Sequence, residues 1–273
     1  MKNIYIKNWY CRLGNNIIQV INAILIAVYY NYNIILPRHE YFNKTYIILN
    51  PRIKIRYRKI INKDNFYFRY EIPNIDKKVF DENNQKALEI LRSCFITKHI
   101  INKLLNENDL LIHIRSGDIF DNNPHPNYIM PPLSYYVKII ETKEFNNIYM
   151  INEDNKNPCI NELLKLYPQI IHKIQSFDDD ISLILSAHNI ITSFGTFIHA
   201  LLSVSSNIKN LYKVSYDYNN TLLKHVNIYD IDLNEYHNLM KPWRNTAEQR
   251  KLMLYYKCEN SFIKNNNIQH NQI

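Results

Sequence analysis

Three polar residues interrupt an apolar run in the middle of the chain. His113, Arg115 and Asp118 belong to residues 113–118, which read His-Ile-Arg-Ser-Gly-Asp and follow a predicted strand over residues 110–114. Because side chains alternate along a strand, His113 and Arg115 fall on the same face. A guanidinium is well suited to bidentate capture of a diphosphate. The pattern predicts that Arg115 binds an anion, and a surface ion pair with Asp118 is the alternative interpretation.

Glycine is scarce in this chain. There are only three glycines, Gly14, Gly117 and Gly195, where average usage predicts roughly 19. Each lies in a short polar motif that follows an apolar, strand-like run. Glycine is irreplaceable where φ is positive or where the backbone approaches a ligand closely. The three positions therefore predict backbone geometry that matters, with ordinary turns as the alternative.

Two of these glycine motifs open predicted helices. The N-terminus of a helix offers backbone N–H groups, and neighbouring hydroxyls add further donors, so that an anion can bind there. The residues concerned are Gly14 and Asn15 before the first helix, and Ser193, Gly195 and Thr196 before a later one. Together with Arg115 they predict a site for a negatively charged ligand.

A run of three aspartates, Asp178, Asp179 and Asp180, precedes an amphipathic segment. One interpretation is an Asp-x-Asp metal site. The other is a helix N-terminus, where carboxylates cap free N–H groups and interact favourably with the helix dipole. The position before the amphipathic segment favours the helix N-terminus, so no metal site is predicted. One of these carboxylates can still reach a ligand from there.

Charge and cysteine usage limit the class of protein. The chain carries 33 Lys and Arg against 25 Asp and Glu, a net charge of +8. This favours an anionic partner such as a nucleotide diphosphate, a nucleic acid or an acidic membrane surface. The cysteines are scattered and form no C-x-x-C pair, which indicates neither a zinc site nor a disulfide framework. The expected location is a reducing compartment.

The most apolar segment, residues 17–30, contains Gln19 and Asn22. It is shorter than the roughly 20 residues that a membrane span requires. We therefore expect a buried helix, not a signal peptide or an anchor, in a soluble cytoplasmic protein.

Strands and helices alternate along the chain, which predicts an α/β protein with parallel sheets and ligands at the carboxyl ends of the strands. The predicted helices span residues 15–30, 83–105, 133–142, 158–166, 180–187 and 196–204, and the predicted strands include residues 4–6, 34–36, 110–114, 148–151, 170–174, 189–192 and 211–214. Residues 1–106 and 107–273 are expected to form two domains. Residues 52–58 alternate strictly between cations and apolar groups, which predicts a strand with a basic face. That face is either the solvated side of an edge strand or the basis of a different function, the binding of nucleic acid or another polyanion.

The order of the motifs resembles the fucosyltransferase superfamily, over about residues 10–215. Residues 12–16, Arg-Leu-Gly-Asn-Asn, resemble its Gly-Arg-Leu-Gly-Asn-Gln opening, and residues 113–118 are similar to its His-x-Arg-Arg-Gly-Asp motif. Residues 133–136, Leu-Ser-Tyr-Tyr, and residues 152–154, Asn-Glu-Asp, resemble segments of the α1,2 branch, and residues 180–196 resemble the third shared motif. The chain departs from the pattern at Cys11, Asn16 and Ser116, and over residues 195–197.

The resemblance implies a GT-B architecture with two Rossmann-like domains: an acceptor-side domain over residues 1–106 and a nucleotide-sugar-binding domain over residues 107–273. It implies inverting transfer of L-fucose from GDP-fucose to a glycan or protein hydroxyl, without a metal or other cofactor. Another GDP- or UDP-linked sugar is the alternative donor. The implied roles are diphosphate binding by Arg115, nucleoside contacts by His113 and Asp180, phosphate binding by Ser193 and Thr196, and a place near the sugar for Asn15. Asp118 is the candidate general base.

Overall fold

The computed structural model describes residues 2–56, 58–61, 65–66, 83–95, 105–172, 175–217, 223, 226–258 and 263–265. The chain divides into two compact units. Unit 1 comprises Met1–Lys98, His199–Ser205 and Asn220–Leu223, and unit 2 comprises His99–Ile198, Ser206–Asn219 and Lys224–Ile273. The predicted division of acceptor and donor functions at residues 106 and 107 stays a prediction.

Unit 1 is built on a four-stranded sheet. Its elements are β1 (Asn3–Tyr5), α1 (Leu13–Tyr30), β2 (Asn33–Ile35), β3 (Tyr46–Ile47), β4 (Lys59–Ile61) and α2 (Asn84–Cys94). The strand order is β3-β2-β1-β4, with β1 parallel to both β2 and β4, and β3 antiparallel to β2. Since the chain passes from β1 to β2 on one side and later to β4 on the other, the sheet has a topological switch point between β1 and β4.

Helix α1 is the core helix of unit 1. It is long and apolar enough to cross a membrane by length and composition, but 72% of it is buried inside the structure, as predicted for a buried helix. Three amides lie on it within the core: Asn16, Gln19 and Asn22. Each donates to a backbone carbonyl, at Tyr10, Asn8 and Phe66 respectively. A buried amide stays unfavourable unless it is hydrogen-bonded, so these bonds hold the loops around the helix.

Unit 2 contains the second sheet. Its elements are β5 (Leu110–Ile114), a 3-10 turn (Gly117–Phe120), α3 (Leu133–Thr142), β6 (Ile148–Asn152), α4 (Pro158–Leu166), β7 (Ile171–His172), α5 (Phe177–Ser186), β8 (Asn189–Ile191), α6 (Thr196–Val204), β9 (Asn210–Val214), β10 (Asn227–Ile231), α7 (Asn234–Met240), α8 (Ala247–Tyr255) and β11 (Ile263–Asn265). The last six residues of α6 group with unit 1.

The sheet of unit 2 has the strand order β11-β10-β9-β8-β5-β6-β7. All neighbouring strands are parallel except β10 and β11. The chain runs outward from β5 to β7 on one side and from β8 to β10 on the other. The switch point of this doubly wound sheet therefore lies between the carboxyl ends of β5 and β8, which is where such sheets bind ligands.

The α/β prediction is confirmed by these two sheets. The structure places β5, α3, α4 and α6 at the bounds expected from the sequence. The helix expected over residues 83–105 is described as Asn84–Cys94, Phe95 is extended, and the segment 96–104 lies outside the described residues.

The strand predicted over residues 52–58 is wrong. Residues 51–56 form turns and a bend, Tyr57 lies outside the described residues, and β4 begins at Lys59. The side chain of Asn50 accepts from the N–H of Arg52 at 3.0 Å, and Asn33 donates to the carbonyl of Ile53 at 2.9 Å. An Asn-Pro turn held by side-chain bonds has replaced the strand. The basic face that supported a polyanion-binding function does not form over residues 51–56.

Candidate active site

Arg115 lies directly after β5, at the switch point of unit 2. Its backbone N–H donates to Oγ of Ser193, which follows β8, at 2.7 Å. Its carbonyl accepts from Nδ2 of Asn157 at 3.0 Å. Both backbone polar groups of Arg115 are thus hydrogen-bonded to neighbouring loops, which fixes the position of the backbone from which the side chain extends.

The guanidinium of Arg115 is also held. Nη2 lies 3.2 Å from Oδ1 of Asp118, and Cζ lies 4.5 Å from the ring centroid of Tyr128. The Arg115 side chain is 21% exposed and that of Asp118 is 54% exposed. An ion pair with a half-exposed carboxylate contributes little stability. The pair instead orients a cation that keeps access to solvent.

Gly195 brings the guanidinium against the backbone. Its φ is +151°, and a Cβ built on it would lie 2.8 Å from Nη1 of Arg115. The Arg115 side chain therefore crosses the backbone of Gly195 just before α6 begins at Thr196. Because the first N–H groups of a helix have no partner within the helix, a cation and a helix N-terminus meet at one place. This arrangement suits a phosphate.

A set of hydrogen bonds around Asp154 shapes the loop after Arg115; we call Ser116, Gly117, Asp154, Lys156 and Asn157 the Asp154 clamp. Oδ1 of Asp154 accepts from the Ser116 hydroxyl and, at 3.1 Å each, from the N–H groups of Gly117 and Lys156. The Ser116 Oγ accepts from the Asn157 N–H at 3.1 Å. Burial by itself would raise the pKa of Asp154, but these hydrogen bonds outweigh it and lower the pKa.

Gly117, inside this clamp, has a φ of +72°, and a Cβ there would run into the carboxylate of Glu153. The presence of a glycine at this position has a direct cause, because the left-handed backbone strains any residue with a side chain, whereas the flexible Glu153 side chain can move aside.

His113 and Ser193 lie deeper in unit 2. Ser193 is fully buried, and its Oγ lies 3.3 Å from Nδ1 of His113. The ring of His113 lies 6.1 Å from that of Phe197 on α6. The Ser193 hydroxyl thus joins β5 to β8, and its predicted contact with phosphate stays a prediction, as does that of Thr196.

Asp180 lies in the first turn of α5, which begins three residues before the predicted start. Ser176 caps the helix by accepting from the N–H of Asp179 at 3.2 Å. Gln175 donates to Asp180 at 2.9 Å. Burial raises the pKa of Asp180 to about 6, the hydrogen bond from Gln175 opposes this, and the charge of Asp179 adds to it. Among the described residues, no three His, Cys, Asp or Glu side chains form a group that could hold a metal ion.

Gly14 and Asn15 belong to unit 1. They are the second and third residues of α1, which begins at Leu13, so Gly14 lies inside the first turn of the helix and not before it, as was expected. The left-handed residue of this loop is Cys11, with a φ of +53°. The contacts predicted for Gly14 and Asn15 with a ligand stay predictions.

Three residues around Arg115 were not predicted as site residues from the sequence: Tyr128, Asp154 and Asn157. Asn157 had a usable signal, since it precedes Pro158 and accepts from the Cys159 N–H as the cap of α4, and an Asn-Pro pair is a helix-start pattern. Asp154 was noticed only through the resemblance. Tyr128 lies in the loop after the 3-10 turn, and no local pattern marks it.

No protein-family model and no curated protein matches the chain. Among solved structures, it is similar to POFUT1 in complex with GDP, with a TM-score of 0.41 and 9% identity over 76% of this chain and 95% of that chain. The apo-form of POFUT1 gives a TM-score of 0.40 and 11% identity over 74% and 94% of the two chains. NodZ alpha-1,6-fucosyltransferase soaked with GDP-fucose gives 0.39 and 7% over 97% and 100%.

Proposed function

We propose that the chain is a glycosyltransferase that uses a nucleotide-diphosphate sugar as donor and inverts the sugar carbon. The observation that carries the proposal is the placement of the Arg115 guanidinium across Gly195, at the switch point of unit 2. A cation, a helix start and the preferred ligand crevice of a doubly wound sheet coincide there.

In such a transfer, the bond between the sugar carbon and the diphosphate oxygen breaks, and the electron pair leaves with the phosphate. An acceptor hydroxyl oxygen bonds to the carbon from the opposite face and gives up its proton. Negative charge grows on the leaving phosphate as the bond breaks. Donors already aimed at that phosphate stabilise the transition state more than the ground state. This is the role we assign to Arg115 and the N-terminus of α6.

We further propose L-fucose from GDP-fucose as the transferred group and a glycan or protein hydroxyl as the acceptor. The motif order supports this choice, and the alternative is another GDP- or UDP-linked sugar. In this proposal His113 and Asp180 contact the nucleoside, and Asp118 accepts the proton. The side chain of Asp118 is more than half exposed, so a hydroxyl can reach its carboxylate once a phosphate has replaced it on the guanidinium of Arg115.

A donor panel tests the proposal. The full chain is incubated with GDP-fucose, GDP-mannose, UDP-glucose and UDP-N-acetylglucosamine in the presence of EDTA, and release of the free nucleotide is followed by chromatography. We expect turnover, including slow transfer to water, with one donor and no requirement for metal, since the aspartates of residues 178–180 lie at a helix start. Activity that EDTA abolishes and manganese restores would revive the metal-site interpretation. No turnover with any donor would refute the proposed chemistry.

A further inference from the structure

A cavity of about 440 Å³ lies beside Arg115 within unit 2. We call it the Tyr128 pocket; it is lined by His125, Asn127, Tyr128, Phe194, Tyr216 and Asp217. The loops that form it follow β5, β8 and β9, so it opens at the carboxyl ends of the strands. Its volume is in the range of small-molecule sites. Arg115 lies on the ring of Tyr128, which makes the pocket a direct neighbour of the proposed phosphate position.

The three aromatic rings that line the pocket are inclined to one another, so that they form a corner and not a pair of parallel walls. The rings of Tyr128 and Phe194 are 5.6 Å apart at 76°, and those of Phe194 and Tyr216 are 6.2 Å apart at 36°. Tyr216 also has one face covered by the ring of His237, at 4.2 Å and 15°. A nucleobase can stack on a single aromatic face, but neither neighbouring ring of the pocket lies parallel to Phe194 to cover the other face of the base. A corner of single faces instead fits a puckered ring that presents C–H groups on one side.

The polar groups of the pocket are mixed in kind. Asp217, which is buried, supplies a carboxylate acceptor, and the exposed Asn127 supplies an amide that both donates and accepts. Nδ1 of His125 accepts from the backbone N–H of Asn127 at 3.3 Å, which leaves Nε2–H of the neutral ring as a donor. Sugar hydroxyls both donate and accept, so they match this set. A carboxylate opposes a second phosphate, so the pocket is unsuited to the diphosphate itself.

We propose that the Tyr128 pocket binds a pyranose ring, with the ring face on Phe194 and Tyr128 and the hydroxyls on Asp217, Asn127 and His125. The proposal rests on the proposed function only for the origin of that ring. Both the transferred sugar and the sugar that carries the attacking hydroxyl must lie next to the diphosphate, and hence next to Arg115. The ring therefore belongs either to the donor or to a glycan acceptor.

Two measurements on the full chain test the proposal. Calorimetry measures the affinities for GDP and GDP-fucose, and saturation-transfer NMR detects binding of free L-fucose, galactose and N-acetylglucosamine. The variants are Asp217→Asn, Phe194→Leu and Asn127→Ala; Asn127 is exposed, so that variant tests the pocket even if the other two fold poorly. Tyr255→Ala, an aromatic substitution at a position 75% exposed on α8, is the matched control. Circular dichroism verifies the fold of each.

If the ring belongs to the donor, the pocket variants weaken GDP-fucose binding at least about fivefold, roughly 1 kcal/mol, and leave GDP binding unchanged. If it belongs to the acceptor, they abolish the NMR signal of a monosaccharide and change neither nucleotide affinity. Equal weakening of GDP and GDP-fucose, or wild-type behaviour in all three variants, would overturn the proposal. If the wild type binds no nucleotide at all, the proposed function is wrong. The NMR signals of the monosaccharides then still show whether the pocket binds a sugar.

Discussion

At the scale of single residues, Arg115 has its backbone N–H and carbonyl bonded to Ser193 and Asn157, and its guanidinium packed on Tyr128. A side chain already ordered in this way loses less conformational entropy when it binds an anion. The same contacts make its position sensitive to changes in residues that no ligand touches.

Gly195→Ala tests this sensitivity. The added Cβ meets the end of a flexible side chain, Nη1 of Arg115, so the guanidinium must move away. We expect GDP affinity to fall at least about tenfold. An alanine is strained at a φ of +151°, so the free energy of unfolding should fall by about 1–3 kcal/mol. Calorimetry with GDP and urea melts on the same variant separate the two effects. Unchanged affinity alongside a lower melt would show that the glycine serves the turn and not the ligand.

Asp180 predicts a dependence of stability on pH. Its pKa is about 6 in the folded chain and about 3.9 in an unfolded one. Because the folded state holds the proton more tightly, ionisation costs stability as the pH rises from 4 to 6. We expect Asp180→Asn to raise the melting temperature at pH 7 and to change it little at pH 4. Asp179→Asn, exposed on the same turn, should bring a smaller gain, because it removes only the neighbouring charge that adds to the rise in the pKa of Asp180. A lower melting temperature for Asp180→Asn at pH 7 would contradict the assignment.

At the scale of elements, the Asp154 clamp joins the ends of β5 and β6 and the start of α4. The side chain of Asn157 has two roles, because its oxygen caps α4 and its amide nitrogen donates to the carbonyl of Arg115. The clamp therefore links the order of a helix start to the position of the cation.

Substitution of Asp154 tests the clamp. Asp154→Ala leaves the buried Ser116 hydroxyl and the buried Gly117 N–H without their acceptor, at a cost of about 1–3 kcal/mol, whereas Asp154→Asn keeps the acceptor oxygen and loses less. We also expect weaker GDP binding in Asp154→Ala. The matched control is Asp121→Asn, which removes an exposed carboxylate that pairs with Lys156 at 2.8 Å and should change stability by less than about 0.5 kcal/mol. Equal urea melts and equal GDP affinities for Asp154→Ala and this control would refute the clamp.

The elements also show what a sequence can predict. Helices α3, α4 and α6 were predictable because their apolar spacing agrees with their packing. Residues 52–58 alternate like a strand, yet Asn33 and Asn50 hold residues 51–56 in turns through bonds to Leu49, Arg52 and Ile53. Such bonds join a side chain to a backbone group elsewhere in the chain, and the periodicity of apolar residues does not indicate which positions they connect. The same is true of Tyr128, whose contact with Arg115 depends on the path of a loop.

In the molecule as a whole, two α/β units each carry a switch point in a mostly parallel sheet, between β1 and β4 and between β5 and β8. The alternation of strands and helices predicted the α/β class. Polar residues after a core strand pointed to Arg115 as a candidate site residue, because such residues are unusual there unless they are used. Donor identity and acceptor depend on pocket shape, which three short motifs do not encode.

Binding of a diphosphate by Arg115 can be measured by calorimetric titration of GDP into the wild type, Arg115→Ala and Arg115→Lys. We expect saturable binding by the wild type and a loss of more than about tenfold in affinity for Arg115→Ala. Lysine should rescue little, because a point charge does not reproduce bidentate capture. Arg244→Ala, at an exposed arginine of unit 2, should bind as the wild type does. A wild type without affinity for GDP, or an Arg115→Ala variant that binds it equally well, would contradict binding of the diphosphate by Arg115.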